Sequence, residues 1–381
     1  MGSEYTSPMG LTQQFKFCGN PFRVDLYKGC DFGCKYCFAS NRNGALRNSE
    51  WAETKMKYLE NKFKLAFDSD KSSNTVEIEL LKHRVPLHCG GMSDPFQSRE
   101  WEFKLTYGLI ELCNKYNYPI VFSTKTSKLP PEYWEILNPE ITAFQVSIMG
   151  YDDAFIRKYE SNTPTAPERI NFISELRSKG FWCSLRIQPL VDLGQALALV
   201  NACGSDVDYI TVEHLKLPYD RPDIQNLFKE EYFKNKSSAP TNNLKNIEFL
   251  PAIKKHNIRE VMKCANSYGV SVGVGDNDLH YLTQGRCCCG IDRINKNFDN
   301  WLKYNLTYLT TGNADSNIWI PTKNVKSNLI LNTSSEMYSH KFISFKEVTD
   351  AYIRKFPRYV PTEYLEQIKA VTGLNLPKTL F

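Results

Sequence analysis

An open β/α barrel of about six units is the fold this sequence predicts, and three observations predict it. Strand-like runs rich in β-branched and aromatic residues recur between residues 22 and 275. Helix-like stretches of about 10 to 15 residues separate them, the spacing of parallel βαβ units. A cysteine-rich loop directly follows the first strand, and in barrels of parallel strands the loops after the strands carry the chemistry.

Each element is justified in turn. Residues 22–27 read as the first strand and are followed by YKGCDFGCKYCFA. Residues 51–67 are helix-like, with Met56, Leu59, Phe63 and Phe67 spaced by three and four. The polar stretch DSDKSSN suits a turn. Strands are then expected at 85–89, 119–124, 141–148, 182–189 and 209–213, alternating with helices at 101–116, 131–137, 167–179 and 194–202. A seventh strand is expected at 271–275, beyond a polar insertion at 216–256. A chain of 381 residues outgrows a single small core. The expected division is an extension at 1–20, the barrel at 21–285 and a C-terminal accessory, substrate-covering region at 286–381 with helices broken at Pro357 and Pro361.

Composition adds limits. No run approaches 18 uninterrupted apolar residues, which argues against a membrane span. The opening MGSEYTSPMG lacks the charged-then-apolar pattern of a secretory signal, so a cytoplasmic protein is expected. In that setting twelve cysteines point to thiols, metal ligands or redox chemistry rather than disulfides. A net charge of +5 permits a polyanionic partner without requiring one. Residues 216–263 hold ten Lys and Arg against six Asp and Glu, together with Tyr219, Phe228, Tyr232 and Phe233. Such a mixture either tracks a phosphate backbone and stacks on bases or is a solvated surface whose aromatics pack inward.

The chemistry centres on Cys30, Cys34 and Cys37, at CxxxCxxC spacing. Three thiolates hold three irons of a [4Fe-4S] cluster, and because such clusters take four ligands, one iron stays open for an exchangeable partner. Zinc also uses cysteines two to four residues apart, but a closed site needs a fourth ligand, and His83, His88 or Cys89 supply one only at long range. After the second strand stands CGGMSDPFQ, where Gly90 and Gly91 allow a ligand close to the backbone and Met92, Ser93 and Asp94 follow. The third strand ends at Lys125, suited to a carboxylate, and the fourth at Ser147, a hydroxyl donor.

The segments CGGMSDPFQ, FSTKT, QVSIMG and YESNTPTAPERINFISELRSKGFWCSLRIQPL resemble, over roughly residues 21–212, the spore photoproduct lyase-like group of radical S-adenosylmethionine proteins. That resemblance implies a partial (β/α)6 TIM-type barrel with a [4Fe-4S] cluster and S-adenosyl-L-methionine as cofactors. It also implies reductive cleavage to a 5'-deoxyadenosyl radical that abstracts hydrogen, with electrons from a donor such as flavodoxin or ferredoxin. In its terms Lys125 and Ser147 contact the cofactor, Tyr36 flanks adenine, and Gly90 and Gly91 meet the methionine amino group. Met92 replaces the acid of the usual Gly-Gly-Glu, leaving Asp94 as the nearby carboxylate. Arg186 and Gln188, on the fifth strand, are candidates for ribose or carboxylate contacts, or are buried strand residues paired among themselves.

A second cysteine feature is Cys287, Cys288 and Cys289, close to Asp276, Asp278 and His280. Cys288 or Cys289 is a candidate hydrogen-atom donor, or two of the three join Cys264 or Cys18 at an auxiliary centre. A third reading makes them small buried hydrophobes. In the lyase itself the donor cysteine lies near the second strand, where the nearest equivalent here, Cys89, is displaced by about two residues. Asp276, Asn277 and Asp278 bind substrate or cap a helix. The function expected is therefore radical chemistry on a nucleic acid or nucleotide. The alternatives are radical modification of a peptide or small molecule, and a zinc-stabilised nucleic-acid-binding protein.

Overall fold

The computed structural model of the protein describes residues 5–11, 20, 22–41, 51–69, 76–218, 221–228, 246–276, 279, 282–285, 287–304, 319–321 and 342–344. Eight strands form one sheet: β1 (Met9–Leu11), β2 (Phe22–Val24), β3 (Leu87–Cys89), β4 (Ile120–Thr124), β5 (Thr142–Ser147), β6 (Trp182–Leu190), β7 (Tyr209–His214) and β8 (Ser271–Val274). Spatial order equals chain order. β1 joins the edge antiparallel to β2, and every later neighbour pair is parallel. The seven parallel strands expected from the sequence are all present. Among the described residues the two sheet edges do not pair, so the barrel is open.

Helices make the crossovers: α1 (Met56–Phe67) and α2 (Val76–Lys82), α3 (Leu105–Lys115), α4 (Pro131–Ile136), α5 (Asp153–Tyr159) and α6 (Ala166–Ser178), α7 (Leu193–Cys203), then α8 (Pro222–Leu227) and α9 (Pro251–Ser267). Residues of β4, β5 and β7 are buried along their whole length, as expected of parallel strands with one face on helices and the other inside a barrel. On β5 the alternation sends Phe144 to the helix side, where it meets Phe122, Phe172 and Phe181 at ring distances of 5.7, 6.3 and 5.5 Å. Gln145, one residue on, turns into the barrel. α6 starts on a capping box between Thr165 and Glu168.

Two helix boundaries differ from expectation. Residues 51–55 are not helical: Ala52–Glu53 pairs antiparallel with Tyr27–Lys28, and helix begins only at Met56. The helix expected at 101–116 is broken at Lys104, which adopts φ +50°. The break is stabilised by Glu100, whose buried carboxylate accepts from the backbone N–H groups of Thr106 and Tyr107 at 2.9 and 3.0 Å and from the Tyr27 and Tyr133 hydroxyls. A side chain thus satisfies donors that the first turn of α3 leaves open.

The described part of the insertion is ordered against the barrel. Lys216–Pro218 pairs with Asn246–Glu248, and Phe228, at the end of α8, is fully buried. Tyr219, Tyr232 and Phe233, Asn277, Asp278 and His280, Cys18, and most of the C-terminal region, with Pro357 and Pro361, lie outside the described residues. Among the described residues no helix is long and apolar enough to cross a membrane.

Candidate active site

The cysteine loop sits at the C-terminal end of the parallel strands, because β2 ends at Val24 and the chain then crosses the top of the sheet. It is clamped from two sides. From the loop after β3, Gln97 Oε1 accepts from Asp31 N at 3.2 Å, and Ser98 N donates to Asp31 Oδ2 at 2.9 Å. From the segment after α5, Lys35 N donates to the Tyr159 carbonyl at 2.9 Å, Asn162 N to the Phe32 carbonyl at 3.2 Å, and Cys34 bridges Glu160 through the backbone. Cys30, Cys34 and Cys37 are each partly exposed as residues and unbridged by disulfides. Burial pushes the Cys34 thiol up to about 12, while the Lys125 ammonium pulls the other way.

Glu160, which no motif singles out, organises this side. Its buried carboxylate is paired with Lys125 Nζ at 2.9 Å and Arg169 Nη1 at 3.0 Å. It also accepts from Thr163 Oγ1 at 2.9 Å and from the Tyr36 hydroxyl. Burial alone would raise its pKa, but Lys125, Arg169 and these hydrogen bonds override it and hold the group at about 2. Arg169 in turn donates to the Ser147 carbonyl at 2.8 Å. One carboxylate therefore ties together three residues expected at the site: Tyr36, Lys125 and Ser147. Phe228 closes over them, stacked on Tyr159 at 4.2 Å and edge-on to Tyr36 at 6.3 Å.

The glycine loop is fixed as firmly. Gly90 has φ +107°, and a Cβ there would stand 2.0 Å from the Ser123 carbonyl oxygen, so only glycine fits. Met92 N donates to Asp25 Oδ1 at 2.8 Å, and Ser93 Oγ donates to the Tyr27 carbonyl at 2.9 Å. Asp94 accepts from Phe96 N, Thr124 Oγ1 and Lys125 N at 2.9, 2.8 and 2.7 Å. It joins the loops after β3 and β4, and burial, partly offset by these bonds, raises it to about 6.

Deeper in the barrel runs a polar belt. Ser123 Oγ stands 2.7 Å from His88 Nε2, donates to Gln145 Oε1 at 2.9 Å and accepts from Arg186 Nη1 at 3.0 Å. Arg186 Nε reaches Gln188, and Gln188 reaches Glu213, which pairs with Lys216 at 2.6 Å. Burial and the Arg186 charge lower His88 to about 3, so it is neutral and its Nε2–H donates to Ser123. Register places Arg186 beside Ser147 on adjacent strands.

A solved structure of a spore photoproduct lyase mutant superposes with a TM-score of 0.51, covering 68% of this chain and 78% of that one at 12% identity. The chain shares the fold of that lyase. By sequence the chain is similar to uncharacterized proteins of Mycobacterium bovis and Mycobacterium tuberculosis, each 26% identical over 206 residues. The matched stretch is 49% of this chain and 57% of theirs, so the chain spans little more than half the length of these curated relatives. No protein-family model matches it.

Within this fold, the triple cysteine enters the barrel from below. The carbonyls of Cys287, Cys288 and Cys289 accept from Tyr209 Oη at 3.2 Å, Thr211 Oγ1 at 2.8 Å and Gln145 Nε2 at 3.1 Å. The Cys288 carbonyl oxygen lies so near Gly273 that a Cβ there would stand 2.1 Å away. Cys287 and Cys289 are buried with their sulfurs 3.5 Å apart. Cys288 lies within electrostatic reach of Glu213 and Arg186, and its thiol is held up by the Cys289 hydrogen bond and by burial. Cys264 is elsewhere, on the outer helix α9 against Asn201.

Among the described residues no three His, Cys, Asp or Glu side chains converge as ligands of a single metal ion. A four-iron cluster asks for a different arrangement, with one thiolate per iron. Three thiols on one braced loop, beside a glycine that lets a ligand approach, fit that demand. His88 and Cys89 are consecutive on β3 and so point to opposite faces, which prevents both from joining the loop.

Proposed function

We propose that this chain is a radical S-adenosylmethionine enzyme, with Cys30, Cys34 and Cys37 holding a [4Fe-4S] cluster. The observation that carries the reading is the braced three-cysteine loop at the C-terminal end of seven parallel strands, joined through Glu160 to Lys125 and Tyr36. When bound, cluster and S-adenosyl-L-methionine supply a one-electron cleavage whose radical product abstracts hydrogen from a substrate. Every other part is the chain's own. Lys125, already oriented by Glu160, would offer its ammonium to the cofactor carboxylate; the Gly90–Gly91 backbone would receive the amino group; Tyr36 would flank the adenine; Ser147 would contact the cofactor through its hydroxyl, and Arg186 and Gln188 would meet the ribose or the carboxylate.

The substrate we favour is a nucleic acid or nucleotide. The likeness of the fold to a spore photoproduct lyase supports it. Cys288, near Arg186 and Glu213, is the thiol we assign to hydrogen return. The auxiliary-centre alternative is less well supported, since Cys264 stands on the outer surface of the barrel.

The test is anaerobic reconstitution of the full chain. About four irons per chain, lost on Cys34→Ala, and release of 5'-deoxyadenosine under a strong reductant are expected. Deuterium should then pass into that product from labelled DNA or RNA pools and not from peptide pools. Zinc in place of iron with no cofactor cleavage would sink the reading, and label arriving from peptides would move the substrate to the peptide class.

A further inference from the structure

Cys287 and Cys289 flank the thiol assigned to hydrogen return, and the three sulfurs form an ordered chain. The half-buried Cys288 is hydrogen-bonded through its thiol to Cys289. Cys289 Sγ stands 3.5 Å from Cys287 Sγ, and the Cys287 thiol donates in turn to Asp292 Oδ1 at 3.4 Å. Cys287 and Cys289 are buried while Asp292 is half-buried. The chain therefore runs from a partly open thiol, through two closed ones, to a carboxylate within reach of water.

The backbone fixes this order. Three consecutive carbonyls, those of Cys287, Cys288 and Cys289, are engaged by Tyr209 and Thr211 of β7 and Gln145 of β5. Closing Cys287 onto Cys289, from 3.5 Å to a disulfide length of about 2 Å, is a short movement. Cysteines kept only as small apolar filler have no use for a carboxylate partner. Burial raises the Cys287 thiol, and the Cys289 hydrogen bond with burial raises Cys288. Both therefore carry their hydrogen at neutral pH, in the form that transfers a hydrogen atom rather than attacking as a thiolate.

We propose that Cys287 and Cys289 are a redox-active dithiol that re-arms Cys288 by hydrogen relay and ends as a disulfide. The inference rests on the functional reading above, in which Cys288 returns hydrogen to a product radical and is left as a thiyl. Cys289 gives its hydrogen atom to Cys288, so one S–H bond breaks and another forms. The Cys289 thiyl then bonds to the Cys287 sulfur as the Cys287 proton passes to Asp292, which leaves one surplus electron on the new S–S bond. An oxidised one-electron carrier of the flavin or iron–sulfur class takes that electron. In sum, a thiyl and two thiols give one thiol, one disulfide, a proton and an electron. An external dithiol restores the pair by exchange.

The experiment generates the thiyl directly. The iron-free full chain is S-nitrosated, illuminated under argon to break the S–NO bond homolytically with oxidised flavodoxin present as electron acceptor, and its peptides are mapped by mass. A Cys287–Cys289 bridge, seen as a peptide two hydrogens lighter and reversed by dithiothreitol, is expected together with flavin semiquinone. Cys288→Ser should lose the bridge formed by light yet keep the one formed by diamide, and Cys289→Ser should lose both. Cys264→Ser, on the outer helix, should lose neither, and an unchanged melting temperature shows that each variant is folded. No bridge after either treatment, or a bridge to Cys288 in place of Cys287, overturns the relay and leaves the functional reading standing. A light-formed bridge that persists in Cys288→Ser does the same. A chain that takes up no iron on reconstitution removes the radical source and overturns both.

Discussion

Glu160 concentrates more of the site on one side chain than any expected residue does. Its buried carboxylate is shared by an ammonium, a guanidinium and two hydroxyls, so its removal strands a buried guanidinium and a part-buried ammonium. Glu160→Ala is expected to cost about 3–5 kcal/mol, read as a lower urea midpoint at unchanged m. Glu160→Gln keeps acceptor and shape and should cost less. Lys125→Met removes a charge-assisted bond to an incoming carboxylate, so affinity for S-adenosyl-L-methionine should fall about 10- to 100-fold with iron content intact, measurable by calorimetry. At Gly90 the obstacle is steric: Gly90→Ala drives a methyl into the Ser123 carbonyl and should lower stability by about 2–4 kcal/mol.

Among the elements, the strands were the most legible part of the sequence. The runs around Ile120–Thr124, Thr142–Ser147 and Tyr209–His214 are rich in β-branched and aromatic residues and buried throughout, because both sides are covered, and that signal survives without knowledge of the partners. Phe144 exemplifies it, and Phe144→Ala should destabilise by about 3–5 kcal/mol, visible as a fall in melting temperature. The break at Lys104 was not legible, since a lysine carries no turn signature and the device that stabilises it, Glu100 with two distant tyrosines, exists only after folding. Trp51 looked helical for a similar reason: the pairing of Ala52–Glu53 with Tyr27–Lys28 is long-range, and local propensity is silent about it. In the site, Lys125, Ser147 and the three cysteines announced themselves by position after strands. Glu160, Asp25, Ser123, Gln145 and Glu213 did not, because their roles lie in bonds to residues tens of positions away.

Across the whole molecule, buried charge makes stability depend on pH. Asp276, just past β8, pairs with His214 Nδ1 at 2.7 Å. Burial opposes its ionisation, yet His214, Lys216 and Lys254 hold it at about 2. A carboxyl depressed in the folded state stabilises at pH values above its ordinary range near 4 and loses that contribution as pH falls toward 2. Melting temperature should therefore drop between about pH 4 and 2 by the equivalent of roughly 2 kcal/mol from this group, and Asp276→Asn should start lower at neutral pH and follow a shallower acid slope. The same scale gives meaning to the segment that carries the triple cysteine, anchored beneath β5 by Asn295 and Asn297 on the Glu140 carbonyl, each at 2.9 Å. Among the described residues that anchor closes the lower end of the barrel, which leaves the end carrying the thiol loop and the gap between the unpaired sheet edges as the ways in.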